Sequence, residues 1–138
     1  MIVLDTNIIS ELMKTRPDMR VLNWSKTIGA QTVTTTSICC AEIYAGLSIL
    51  QDGKRKQGLI TVFSLVLETV LGDVLPFDDK AVKIYGELYA NQRERGAPTP
   101  QNDLMIAAIT KVHSATLITR NTKDFEGCGI ELVNPFAA

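Results

Sequence analysis

The 138-residue sequence predicts a single α/β domain, residues 1–138, with a central, mostly parallel sheet flanked by helices on both faces. Three observations lead there. Short runs rich in β-branched residues recur at 2–4, 32–36, 74–77 and 116–119, with a weaker fifth at 130–133. The stretches between them are longer and carry helical periodicity. The length suits one core, with no internal repeat or linker.

The helices follow in order. The first opens at Thr6 and ends near Lys14. A second, after Pro17, carries Val21, Leu22 and Trp24 to about Ile28. A third starts from Ser37, read as its N-cap, and runs to about Gln51. A fourth spans roughly 54–71, where the apolar run 59–71 reads as a buried helix or a subunit interface. The fifth goes from the capping residue Asp78 to Arg95. Gly96-Ala97-Pro98-Thr99-Pro100 breaks the chain, and a sixth helix covers about 102–113.

Composition narrows the class. The chain is 46% hydrophobic and 21% charged, which describes an ordinary globular protein. Net charge is −1, so any polyanion site must be a local patch rather than a general positive field. The apolar run 59–71 contains Thr61, Ser64, Glu68 and Thr69 and falls short of the about 20 apolar residues that span a bilayer. The start, Met-Ile-Val-Leu-Asp, lacks the pattern of a signal peptide. Cys39, Cys40 and Cys128 have neither metal-type nor redox spacing, and they fit a reducing cytoplasm as small core residues.

The polar residues at the strand ends carry the functional information. Ligands of open parallel sheets bind at the carboxyl ends of the strands, and Asp5-Thr6-Asn7 follows the first strand directly. In the third helix Ile38, Glu42, Ala45 and Ile49 recur as an inward stripe, in which a carboxylate is costly unless paired or metal-bound. Asp103 lies in the first turn of the sixth helix, where the dipole alone would favour it. Thr119-Arg120-Asn121-Thr122-Lys123-Asp124-Phe125 closes another strand, and Asn121 and Asp124 can face the same crevice or simply make a turn.

Two carboxylates about 4 Å apart repel by roughly 4 kcal/mol at an effective dielectric near 20. A cluster of them holds protons, finds Arg or Lys, or binds a cation. Arg120 and Lys123 are available for the second outcome. For the third, oxygen ligands without a Cys/His constellation favour magnesium or manganese over zinc.

At Asp5-Thr6-Asn7, Glu42, Asp103 and Thr119-Arg120-Asn121 the sequence resembles the PIN-domain ribonucleases, and more narrowly the VapC-type toxins of bacterial toxin–antitoxin pairs. The resemblance covers essentially the whole chain. It implies a PIN-like sheet and a magnesium-dependent endoribonuclease whose three metal-site acids are Asp5, Glu42 and Asp103. Ser37 matches a polar position before the acidic helix. Thr119 and Asn121 match the last motif, where many relatives carry Asp instead of Asn121. The family further implies a homodimer, an antitoxin that blocks the active-site groove, and RNA targets that include transfer RNAs.

The chemistry expected is hydrolysis of an RNA phosphodiester, with the ion activating water and polarising a phosphoryl oxygen. Asn7, Ser37, Thr119 and Asn121 are suited to orienting the carboxylates or the water. Arg16, Arg93, Arg95 and Arg120 are candidate phosphate contacts. His113 is the only histidine, so paired-imidazole and Ser-His-Asp mechanisms are disfavoured; it reads as a structural group at a helix end. Two alternatives stay open: a phosphatase using Asp5 as nucleophile, whose usual second acid is Asn7 here, and a catalytically inactive PIN-like nucleic-acid-binding module.

Overall fold

The computed structural model describes residues 1–137. Its sheet is formed by β1 (Ile2–Leu4), β2 (Val33–Thr34), β3 (Thr116–Ile118) and β4 (Glu131–Val133), in the order β2-β1-β3-β4 with every pairing parallel. Six helices surround it: α1 (Thr6–Leu12), α2 (Met19–Ser25), α3 (Ser37–Ser48), α4 (Lys54–Thr69), α5 (Asp79–Glu94) and α6 (Gln101–Val112). Short 3-10 turns follow at Thr122–Phe125 and Pro135–Ala137.

Side chains alternate across the central strands, so the sheet carries a core on each face. On one face Val3 and Leu117 pack with Cys39, Leu88, Leu104, Ala108 and Phe125. On the other, Ile2, Leu4 and Ile118 pack with Ile8, Val21, Ile43 and Phe63. Cys39 and Cys40 are adjacent, yet each faces a different core, and all three cysteines are free and buried.

Three sequence expectations are corrected. The run 74–77 forms no strand but a single parallel bridge, Thr36 to Leu75. Pro76 has no N–H to continue a ladder, and Thr34 already fills the Asp73 carbonyl through its hydroxyl (2.6 Å). The expected weak strand near the C-terminus is instead a full member of the sheet, β4. The run 59–71 is not a buried helix, since Phe63 is the one buried residue of α4 and Leu65 is 52% exposed, and of the two readings only the subunit interface is left. No helix among the described residues is long and apolar enough to cross a membrane.

Candidate active site

Register builds the site. The pairing of Leu4 with Ile118 brings Asp5 and Thr119 out side by side at the carboxyl edge of β1 and β3. Asp5 N–H extends the ladder to the Ile118 carbonyl (2.9 Å). Asp5 is then the N-cap of α1, accepting from the Thr6 N–H at 2.8 Å through Oδ1. The same carboxylate accepts from the Thr119 hydroxyl (2.7 Å) and from Asn7 Nδ2 (3.4 Å) through Oδ2. Asn7 Oδ1 in turn accepts from the Arg120 N–H at 3.2 Å.

Glu42 reaches the same edge from α3. The helix is capped by Thr36, whose hydroxyl accepts from the Cys39 N–H at 3.1 Å, and Ser37 is its first residue rather than its cap. The inward stripe also differs from expectation. Cys39, Cys40, Ile43 and Leu47 are buried, whereas Ala45 is exposed and Ile49, at the C-cap, is 86% exposed. Glu42 therefore stands half-buried at the edge of the apolar face. Thr6, between Asp5 and Asn7, donates its hydroxyl to Glu42 Oε1 at 2.7 Å and so couples α1 to α3.

Asp103 enters from the first turn of α6, half-buried. Burial, and then the charges of Asp5, Asp124 and Glu42, push its carboxyl up from 3.8 to about 6. Asp5 is 5% exposed and is also raised, chiefly by burial and further by Glu42, against the hydrogen bonds from Thr119 and Thr6. None of the three acids has an Arg or Lys partner within 4.0 Å among the described residues. Arg120 lies over the Phe136 ring, 4.4 Å from its centroid, and does not neutralise the cluster.

The donor chemistry can be tested directly. Ligand atoms of Asp5, Cys39 and Glu42 lie within 4.8 Å of one another. Burial pushes the Cys39 thiol up to about 11, so it stays protonated, with Sγ 3.8 Å from Asp5 Oδ1 as a weak donor. What remains for an ion is carboxylate oxygen, which fits a hard divalent cation.

The other expected site residues divide. Asn121 reaches the site only through its backbone, donating N–H to Thr119 Oγ1 at 3.0 Å, while its side chain makes no hydrogen bond among the described residues. Ser37 is held by its main chain to the Leu75 carbonyl, and its hydroxyl is not bonded to the acids. Asp124 is exposed in the 3-10 turn, within electrostatic reach of Asp103. Arg95 is committed to the Glu126 carbonyl at 2.7 Å. Arg93 lines a cavity with Tyr89 and Leu104, and Arg16 is exposed. His113 closes α6 as its C-cap.

Sequence reasoning missed Thr6, Cys39 and Arg55. Cys39 stands three residues before Glu42, a spacing that shares a helix face and could have flagged it. Arg55 and Lys14 border a groove of about 300 Å³ that opens beside Thr6 and Glu42, over Ile43 and Leu47. Nothing in the Lys54-Arg55-Lys56 run distinguishes Arg55 from its neighbours without the fold.

A parallel sheet with unbalanced acids gathered at its carboxyl edge defines the class, and the PIN domain family matches residues 2–127. The chain resembles the VapC ribonuclease Y4jK of Sinorhizobium fredii, 38% identical over 99% of this chain and 98% of that protein. It is 34% identical to the toxin FitB of Neisseria gonorrhoeae over 99% of both. Among solved structures, FitAcB of N. gonorrhoeae superposes with a TM-score of 0.85 at 33% identity over the whole of both chains. VapBC2 of Rickettsia felis, bound to a promoter DNA fragment, gives 0.82 at 30% identity, covering 97% of this chain and 98% of that one. The chain belongs to the PIN-domain family, within its branch of VapC-type toxins.

Proposed function

We propose that the chain is a magnesium-dependent endoribonuclease, the toxin half of a toxin–antitoxin pair, which hydrolyses RNA phosphodiesters with water. The observation that carries this reading is the pair Asp5 and Glu42, whose ligand atoms lie within 4.8 Å of each other, with Asp103 near enough for both charges to raise its carboxyl and no cationic side chain among the described residues to balance the three. Such crowding lowers stability in the metal-free chain and is relieved by a divalent ion. Relatives that carry the names ribonuclease and toxin support the same conclusion.

Asp5, Glu42 and Asp103 would hold magnesium, or manganese in its place. When bound, the ion supplies an activated water and polarises a phosphoryl oxygen. The chain's own residues prepare the ground. Thr119 and Asn7 fix Oδ2 of Asp5, and the Thr6 N–H fixes Oδ1. The Thr6 hydroxyl holds Glu42 in its rotamer. The match of the PIN domain family to residues 2–127 favours this reading over Asp5 as a covalent nucleophile. Arg55 and Lys14, beside the groove, are suited to contact flanking phosphates.

Transfer RNA is a proposed substrate, an antitoxin and a second copy of this chain are proposed protein partners, and a cytoplasmic location is consistent with three free thiols. The likeness to FitB and to the FitAcB structure supports the antitoxin.

The test is RNA cleavage by the purified chain with magnesium and with excess chelator. Cleavage that needs the ion and returns on its restoration is expected; cleavage that survives chelation overturns the reading. A quieter variant probes the support of the site. Thr119→Val removes the 2.7 Å hydrogen bond to Asp5 and should weaken metal affinity about 10- to 100-fold. Calorimetric titration with manganese reads this directly.

A further inference from the structure

We propose that Gln92 is a positioning residue for this site: through Thr99 and the Glu126 carbonyl it fixes the helix that carries Asp103 against the turn that carries Asp124. The inference rests on the metal-site reading above and names a residue that lies outside the acid cluster.

Gln92 is 2% exposed in the last turns of α5. Its Nε2 donates one proton to Thr99 Oγ1 at 2.9 Å and the other to the Glu126 carbonyl at 2.9 Å. Its Oε1 accepts from Arg95 Nη1 at 2.9 Å. The amide orientation follows from these partners, since a flipped amide would set two carbonyl oxygens against each other at Glu126. A buried amide costs free energy that an apolar side chain of similar size would not, so packing alone does not account for glutamine here.

Its neighbours on the helix complete a clasp. Arg95 Nη1 also donates to the Glu126 carbonyl at 2.7 Å, and Asn91 Nδ2 donates to the Gly127 carbonyl at 2.9 Å. Gly127 has φ +83°, a left-handed backbone that favours glycine, and a Cβ there would displace the Arg95 guanidinium from the clasp. The clasped carbonyls lie two and three residues beyond Asp124.

The other arm of Gln92 controls α6. Pro100 stands at the N-cap of α6 and supplies no side-chain capping bond, so the entry of that helix depends on the loop 96–100. Cavities of about 290 and 200 Å³ flank this loop, and Gln92, Pro98 and Thr99 border both. The start of the loop is held by its backbone, Gly96 N–H to the Arg93 carbonyl (3.1 Å) and Ala97 N–H to the Gln92 carbonyl (3.0 Å), and the Thr99–Gln92 side-chain hydrogen bond restrains the end that enters α6. Asp103 follows Thr99 by four residues, and Asp124 lines the second cavity with Pro100 and Thr99. A displacement of about 1 Å in such an assembly can cost on the order of 100-fold in rate.

The experiment compares Thr99→Val, Thr99→Ser and Gln92→Met with the wild-type full chain. Manganese binding is read from the electron paramagnetic resonance signal of the free ion, cleavage kinetics on RNA are run alongside, and circular dichroism follows folding. Thr99→Val and Gln92→Met should weaken manganese binding about tenfold and lower kcat with KM for RNA unchanged, while Thr99→Ser keeps wild-type values. Thr99→Val decides the matter if Gln92→Met unfolds. Wild-type manganese affinity and kcat in Thr99→Val overturns the inference, as does a Thr99→Ser variant impaired as far as the valine. A wild-type chain that binds no manganese overturns both this inference and the proposed function. A chain that binds manganese without cleaving RNA overturns the function alone, and the clasp is then decided by the binding values.

Discussion

Asp5→Asn is expected to lower metal-dependent RNA cleavage by at least about 100-fold while the chain stays folded. The asparagine keeps an Oδ1 able to cap α1 through the Thr6 N–H, so the helix start survives. It removes the negative charge shared with Glu42 and Asp103, which is what an ion would need. The Thr119 hydroxyl must turn to accept rather than donate, a local change of about 1 kcal/mol. Initial rates at saturating manganese, set beside urea denaturation, separate the two effects. An active Asp5→Asn variant would remove the metal mechanism, and an unfolded one would show that the carboxylate is structural.

Asp103→Asn is expected to abolish cleavage to a similar degree and to stabilise the metal-free chain near neutral pH. The sign follows from linkage. The folded chain holds the Asp103 proton up to about pH 6, whereas the unfolded chain releases it near 3.8. Between those values the folded state binds more protons, so wild-type stability falls as pH rises. The full shift corresponds to about 3 kcal/mol, and partial exposure reduces this to about 1 kcal/mol. Asparagine carries no such penalty. The variant should therefore unfold at a higher temperature than wild type at pH 7, with the difference shrinking toward pH 4. Melting curves in chelator at pH 4, 5, 6 and 7 check it, and saturating manganese should reverse the order at pH 7. A difference that is flat with pH would mean that neither burial nor the neighbouring acids raise the Asp103 carboxyl.

Much of the architecture was legible because it is local. The runs at 2–4 and 116–119 are apolar, β-branched and followed at once by polar turns, so both the strands and the residues at their ends could be read. The run at 74–77 misled because β propensity ignores the missing N–H of Pro76, while β4 was underrated because Glu131 and half-exposed neighbours make a weak pattern. Tertiary contact decided both.

The site was legible to a different depth for each residue. Asp5 was plain from its position after a strand. Glu42 was placed in a stripe with Ala45 and Ile49 that the fold exposes; the buried face turns on Cys39 and Cys40, small residues whose packing periodicity does not advertise. The Thr6–Glu42 hydrogen bond spans 36 positions, and the Gln92 clasp joins α5 to two separate loops, so no local signal could give either. Ser37 and Asn121 illustrate the converse: polar side chains at suitable sequence positions whose backbones, not their side chains, do the bonding seen here.

The most direct measurement is a crystal structure of the chain in manganese, with the ion located by its anomalous scattering. Our account requires one carboxylate oxygen from Asp5 and one from Asp103 within about 2.3 Å of the ion, with Glu42 bound directly or through one water. An ion seated elsewhere, or crystals soaked in manganese that show Asp103 turned away from Asp5, would contradict it.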